Sequence, residues 1–310
     1  MTLSGAGGPV QRQEAVMEIS GVRVTHPDRM VFPDQGITKR RLIEHYLAVA
    51  AWMLPHVANR PLALVRCPEG VSGECFFQKH ASPGFPAALH RVTLEEKSGS
   101  GEYLFIRDAA GLVAAVQMGV VELHIWGAGV ADPERPDRLV FDLDPDPGLD
   151  FVHVKKAAAQ LREELFRLGL KSFLLATGGK GLHVVVPLLP RHGWDTHAAF
   201  ADSFARHMAD RNPERYTTSL SKAKRRGKVF IDHLRNRRGS TAIAPFSPRA
   251  RAGAPVAMPL SWPALGPLRR SATASVATAA ARLKRMRRDP WQGYFELRQT
   301  LPLSLFGRGV

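Results

Sequence analysis

Apolar and polar positions fall into short strand-like runs and longer helix-like ones. From Glu18 to Gly36 they alternate and are broken by proline and glycine, which predicts short strands and loops. "TKRRLIEHYLAVAAWMLPHV" then carries apolar residues at helical spacing, and Thr38 suits its N-cap. "PLALVRCP" and "GEYLFIRD" read as strands, with "GECFFQKH" as a loop or short strand between them. "AAGLVAAVQMGVVELHIWG" starts as a buried helix and ends as a strand. "DFVHVKKAAAQLREELFRLG" is an amphipathic helix closed by Gly169. "SFLLATGGKGLHVVVPLLP" reads as strand, glycine loop and strand, "DTHAAFADSFARHMADRNP" as a helix stopped by Pro213, and "KVFIDHLRN" as a strand. "GSTAIAPFSPRARAGAPVAMPLSW" predicts an ordered surface loop with short strands, and residues 271–301 a mostly helical tail.

Strands and helices mix without strict alternation. This predicts an α+β fold, with mixed or antiparallel sheets flanked by helices, over a doubly wound parallel sheet. The expected layout is a flexible leader (1–17), an N-terminal accessory lobe (18–100), a catalytic core (101–262), a C-terminal helical segment (263–300) and a tail (301–310).

Chemistry enters where an apolar run is interrupted. In "RLVFDLDPDPG", Leu139, Val140, Phe141 and Leu143 read as a buried strand, yet Asp142 and Asp144 break it. Strand side chains alternate faces, so both carboxylates point the same way. Like charges that close raise each other's pKa or require a cation between them. Asp146, between two prolines, is read as a turn residue, with Gly148 closing the turn. Asp232 in "VFIDHL" repeats the theme of an acid in an apolar strand. Three carboxylates on neighbouring strands suit two-metal phosphoryl transfer, and hard oxygen ligands favour Mg²⁺ or Mn²⁺ over zinc. The plainer reading of a lone D-x-D is strand-end caps and salt bridges.

In "ATGGKGLHV", Gly178, Gly179 and Gly181 allow backbone amides to converge on an anion, with Thr177 and Lys180 as side-chain donors. It is not a Walker loop. His183 stands where it can donate to a phosphate, unless this is an ordinary hairpin with a satisfied histidine. Lys222, Lys224, Arg225, Arg226 and Lys228 precede the strand of Asp232, and Arg235, Arg237 and Arg238 follow it. Arg249 and Arg251 are placed to reach the same pocket. Phe76 and Phe77 are candidates for stacking on a base, or else an ordinary core pair.

Composition points the same way. Lys plus Arg number 43 against 28 Asp plus Glu, a formal charge of +15 that points to a polyanionic partner, nucleic acid first. Cys67 and Cys75 fit no zinc or thioredoxin spacing and are read as reduced thiols of a cytoplasmic, nucleoid-associated protein. No apolar run reaches membrane-spanning length, and the N-terminus lacks the plan of a signal peptide.

In order, "FDLDPDPG", "TGGKGLHVVVPL", "KRRGKVFIDHLRN" and "TAIAPFSPRARAGAPVAMPLSW" resemble the polymerase domain of bacterial ligase D, in the archaeo-eukaryotic primase superfamily. "ITKRRLIEHY", "RPLALVRCPEG", "GECFFQKH" and "VQMGVVELHIWG" extend the resemblance over residues 18–300. It implies a DNA-directed nucleotidyltransferase that extends 3′ ends at breaks or gaps in non-homologous end joining, preferring NTPs over dNTPs and using Mn²⁺ or Mg²⁺. By match, Asp142, Asp144 and Asp232 are the metal ligands. His124, Thr177, Lys180, His183, Arg235 and Arg249 are nucleotide contacts. Arg29 and Lys39 grip a DNA 5′-phosphate, while Phe76 and Phe77 pack on the template.

Thr177 stands where the family commonly has Ser, and Arg29 where it often has Lys; hydroxyl and charge are kept. No K-x-D-G ligase motif occurs, so a stand-alone form or excised domain is expected, with Ku and a separate ligase as partners. Rival readings are a noncatalytic end-binding module that recruits Ku or ligase, a metal nuclease, and a primase that needs no primer.

Overall fold

A computed structural model describes residues 16–97 and 99–303. The expected leader up to residue 15 and tail from residue 304 lie outside the described residues. Val16 and Met17, assigned to the leader from sequence, instead open the first strand.

In chain order, β1 (Val16–Ile19), β2 (Val22–Thr25), β3 (Met30–Phe32) and β4 (Ile37–Thr38) form two small hairpins. Then come α1 (Lys39–Val57), β5 (Leu62–Arg66), β6 (Phe76–Gln78), β7 (His90–Glu96), β8 (Gly99–Phe105), α2 (Ala109–Gln117) and β9 (Val120–Trp126). The second half runs β10 (Arg138–Pro145), α3 (Phe151–Arg167), β11 (Phe173–Ala176), β12 (Leu182–Pro187) and α4 (Trp194–Arg211). It closes with β13 (Tyr216–Thr217), β14 (Val229–Asp232), β15 (Thr241–Ile243), β16 (Met258–Leu260) and α5 (Ala279–Arg285).

Local chemistry starts the helices where the pattern predicts. Thr38 caps α1 by accepting from the Arg41 amide at 3.3 Å. Asp108 and Asp150 cap α2 and α3 at 3.1 and 2.7 Å. Gly169, at φ +76°, lets the chain leave α3 in a left-handed turn.

One six-stranded sheet has the order β13-β14-β10-β12-β11-β16; the other is β15-β9-β5-β8-β7, with β6 on β5. Pairing is antiparallel except for β13 with β14, as expected of an α+β fold. β5 lies between β9 and β8, so the second sheet draws on residues either side of position 100.

Alternation along β10 separates two environments. Leu139, Phe141 and Leu143 bury against α3 and α4, in a core with Val154, Leu161 and Phe204. Each such burial contributes about 1.5–3 kcal/mol. Val140 faces the other way, joining Leu175, Val185 and Ile243 in a smaller core between the sheets. Val121, Leu123 and Ile125 of β9 pack toward α1 and α2. The layers are therefore helices, sheet, sheet, helices, and one face of each sheet looks into the middle. Among the described residues, no helix is long and apolar enough to cross a membrane.

Two expectations are corrected. Cys67 and Cys75 are joined as a disulfide, with Cα atoms 4.3 Å apart, and are not reduced thiols. Arg66 pairs with Phe76 across the β5–β6 hairpin, so the flanking cysteines meet face to face; linear spacing cannot show this. The tail is helical only over α5. Beyond it, turns around Pro290 and Gly293 (φ +85°) form a strap, and Trp291 donates to the Leu174 carbonyl at 2.9 Å and stacks on Tyr294 at 5.0 Å.

Asn236 ties the turn after β14 to the sheet. Its side chain accepts from the Val140 amide at 2.7 Å and donates to the carbonyls of Val140 and His233, both at 2.8 Å, while almost fully buried. Asn236→Ala is expected to cost about 2–4 kcal/mol in chemical denaturation, because buried backbone groups lose their partner. An unchanged midpoint would contradict this account of the turn.

Candidate active site between the sheets

The β10 face that carries Val140 also carries Asp142 and Asp144. In register, Asp142 sits opposite His183 on β12 and opposite Asp232 on β14. The structure thus brings together Asp142, Asp144, Asp232 and His183. His183 Nε2 lies 3.4 Å from Asp142 Oδ1. Arg235 spans the cluster, with Nη2 3.5 Å from Asp142 and 3.2 Å from Asp232.

Burial pushes the Asp142 carboxyl upward, but His183, Arg235 and Arg249 together hold it below the usual range. Asp144 goes the other way. Burial first, then the charges of Asp142 and Asp232, push it up to about 6. It makes no hydrogen bond or salt bridge among the described residues. Gly181 leaves the room beside it: a Cβ there would run into the Leu143 carbonyl oxygen and lie 3.2 Å from Asp144 Oδ1.

As the side chains stand, no three His, Cys, Asp or Glu among the described residues converge closely enough to hold a metal ion. Arg235 supplies the counter-charge instead. The donor set nonetheless fits a hard cation in chemistry: two acids in register, and a third with raised pKa and no partner of its own.

The glycine loop is held from within. The Thr177 hydroxyl donates to the Gly181 carbonyl at 2.8 Å and accepts from the Gly179 amide at 3.3 Å. The Gly178 amide donates to Ser271 Oγ at 3.2 Å. Thr177 and two of the loop amides therefore shape the loop and do not project from it. Lys180 is exposed at its tip. Arg249 donates to the Thr177 carbonyl at 3.0 Å and to Glu122 Oε2 at 3.1 Å, joining the loop to the facing sheet. Arg225 stacks on Phe230, 3.5 Å from the ring centroid, while Arg238 is paired with Glu134 on the surface.

From the facing sheet, β9 sends Glu122 and His124 into the same space. Glu122 Oε2 accepts from His124 at 2.9 Å and from Arg249 Nε at 3.1 Å, and Oε1 accepts from the Ala250 amide at 2.7 Å. Burial raises the Glu122 pKa, but these donors overcome it and hold the carboxyl at about 2. Burial lowers His124, so it meets Glu122 as a neutral N–H donor.

The remaining candidates lie on two adjoining surfaces. Phe76 and Phe77 on β6 are 40% and 50% exposed, which rules out the core-pair reading. Arg29 donates to the Pro68 carbonyl at 2.8 Å and lies 3.5 Å from Glu69. Lys39 is buried at the start of α1, donating to the Thr25 carbonyl at 2.8 Å and to Gln117 Oε1 at 3.3 Å. Burial and then Arg29 lower its pKa, and no carboxylate among the described residues pairs with it.

Three residues of this arrangement have no place among the sequence candidates. Glu122 carries the signal that exposed the Asp pair, an acid two residues from His124 in an apolar strand. Ser271 and Gln117 carry none, since each acts across a long stretch of chain.

A family model described as the LigD primase-polymerase domain matches residues 38–291. The chain is 40% identical over 294 residues to the multifunctional non-homologous end joining protein LigD of Pseudomonas aeruginosa, covering 94% of this chain and 35% of that protein. It is 28% identical over 287 residues to the bifunctional non-homologous end joining protein LigD of Bacillus subtilis, covering 91% and 46%. Its fold matches the solved polymerase domain from Mycobacterium tuberculosis Ligase D in complex with DNA, with a TM-score of 0.79, 33% identity, and coverage of 85% of this chain and 94% of that one. The fold is that of a polymerase domain, in the nucleotidyltransferase class. The chain belongs to the LigD primase-polymerase domain family. It spans between about a third and a half of the length of these two curated relatives.

The raised Asp144 pKa has a measurable consequence. Ionising a group whose folded pKa lies above its ordinary value costs stability, so its contribution is full below about pH 4 and is lost as pH rises through about 6. Asp144→Asn escapes that loss. Without added metal, its melting temperature should exceed that of wild type by more at about pH 8 than at about pH 5, by several degrees. An equal difference at both pH values would contradict the raised Asp144 pKa that burial and the neighbouring acids produce.

Proposed function

We propose that this domain extends the 3′ end of a DNA strand at a break or gap by templated nucleotide addition, preferring NTPs, within end-joining repair. The observation that supports it most is the set of acids in register on β10 and β14, bridged by Arg235, beside a glycine loop that carries Lys180 at its tip and Arg249 at its root. A nuclease would need the acids but not the cationic loop.

Asp142, Asp144 and Asp232 would hold Mn²⁺ or Mg²⁺ in a two-metal arrangement. Bound there, the ions supply a lowered pKa for the attacking hydroxyl and neutralise the triphosphate. The chain's own residues do the rest. Lys180 and Arg249 draw the polyphosphate onto the glycine loop, and Arg235 exchanges a carboxylate partner for a phosphate oxygen. His183 and His124 close the pocket from the two sheets. The primer 3′-hydroxyl attacks the α-phosphate in line, and pyrophosphate leaves.

Arg29 and Lys39, two neighbouring cations at the start of α1, fit a downstream 5′-phosphate. Phe76 and Phe77 offer the template an aromatic surface. The M. tuberculosis polymerase domain was solved with DNA, which supports DNA as the partner here; Ku and a DNA ligase fit the end-joining context.

The test is primer extension on a gapped duplex whose downstream strand is phosphorylated or not, with Mn²⁺ and NTPs or dNTPs. Wild type should add templated nucleotides, more from NTPs, and chelation of the metal should stop it. Asp142→Ala with Asp144→Ala should abolish addition and leave DNA affinity within about threefold, since affinity rests on cationic residues. Lys39→Ala should erase the preference for the phosphorylated gap. Tight DNA binding with no addition in Mn²⁺, or in Mg²⁺ supplied in its place, would instead favour a noncatalytic end-binding module.

A further inference from the structure

Glu122 and Phe77 stand in one row across the second sheet. Phe77 pairs with Val65 on one side of β5, and Val65 pairs with Glu122 on the other, so all three side chains share a face. His124, two residues along β9, shares it too. The Phe77 ring meets the His124 ring edge to face, with centroids 5.6 Å apart. Beyond His124 the contacts continue through Glu122 to Arg249, and from Arg249 to the Thr177 carbonyl at the root of the glycine loop.

Each link has one way to be satisfied. A carboxylate only accepts, so His124 must present a protonated Nε2 to Glu122, which fixes its tautomer and ring plane. Glu122 is 5% exposed, and it accepts from His124, Arg249 and the Ala250 amide. A buried carboxylate so surrounded cannot turn without leaving donors unpaired. Phe77, half exposed, is the outer end of this row; Arg249 is the inner end.

We infer that Glu122 is a positioning residue that couples the Phe77 surface to the nucleotide pocket, by setting His124 and Arg249 in one fixed arrangement. This rests on the function proposed above. It adds that the surface offered to the template and the grip on the triphosphate are parts of one unit, joined by a ring contact at Phe77 and by hydrogen bonds from His124 to Arg249. A template base seated on Phe77 then stiffens the His124 ring, and through Glu122 the Arg249 guanidinium.

The test is binding of a fluorescent ATP analogue, with Mg²⁺, to the DNA-free protein. With no template present, a residue that only touches template has no effect. Glu122→Gln keeps the shape and removes the charge that holds His124 and Arg249; it should weaken binding by about tenfold or more. Phe77→Ala should weaken it by about threefold, the scale of one edge-to-face contact. The double variant should bind no more weakly than Glu122→Gln alone, because the coupling is already broken. Glu122→Asp, which keeps the charge, should recover part of the loss.

Phe77→Ala binding like wild type, or a double variant losing the product of the two single effects, would overturn the coupling. Should Glu122→Gln melt as an unfolded chain, the Phe77→Ala comparison decides alone, since that side chain is half exposed. Wild type with no affinity for the analogue would remove the proposed pocket and the coupling with it. Wild-type affinity with no Phe77 effect removes only the coupling.

Discussion

The antiparallel registers of β10 with β12 and β14 decide where the charged groups at the centre of this domain can lie. One slip by a single residue would turn Asp142 and Asp144 into the core against α3 and α4 and bring Phe141 and Leu143 into the cleft. The register is held because the apolar face is so well buried: Leu139, Phe141, Leu143, Val184 and Ile231 are fully enclosed. Hydrophobic packing on one face thus fixes the acids on the other, where each like-charge contact works against folding. Function here draws on stability supplied elsewhere in the same strands.

The facing sheet follows the same rule with the opposite charge balance. Glu122 is a buried acid surrounded by donors, whereas Asp144 is an acid among acids. The first environment lowers a carboxyl and fixes its neighbours in place; the second raises one that has no hydrogen-bond or salt-bridge partner among the described residues. Arg235 and Arg249 stand between the two. One bridges Asp142 and Asp232, and the other joins Glu122 to the glycine loop.

Much of this was legible in the chain. Period-two alternation exposed Asp142 and Asp144, and helical spacing with Thr38 and Gly169 delimited α1 and α3. The ordered motifs carried the family. What escaped depends on distant parts of the chain meeting. Asn236 reaches Val140 and Ser271 reaches Gly178, each from over ninety residues away, with no local signal in either neighbourhood. The Cys67–Cys75 bond follows from a hairpin register that spacing alone does not reveal. The tail misled because alanine and arginine favour helix, while Trp291 and Tyr294 gain more by filling the cleft against Phe173 and His56 than a helix would give them. The glycine loop was located correctly, yet Thr177 turns its hydroxyl inward to Gly181.

We propose that the three carboxylates set by sheet register hold a divalent cation, and that Arg235, here paired with Asp142 and Asp232, turns to the phosphates when it binds. The most direct measurement is anomalous diffraction from crystals grown with Mn²⁺ and a nonhydrolysable NTP. The account predicts an anomalous peak within bonding distance of Asp142, Asp144 and Asp232, with Arg235 withdrawn onto the phosphates. Crystals with ordered nucleotide but no such peak, and Arg235 still bridging Asp142 and Asp232, would contradict it.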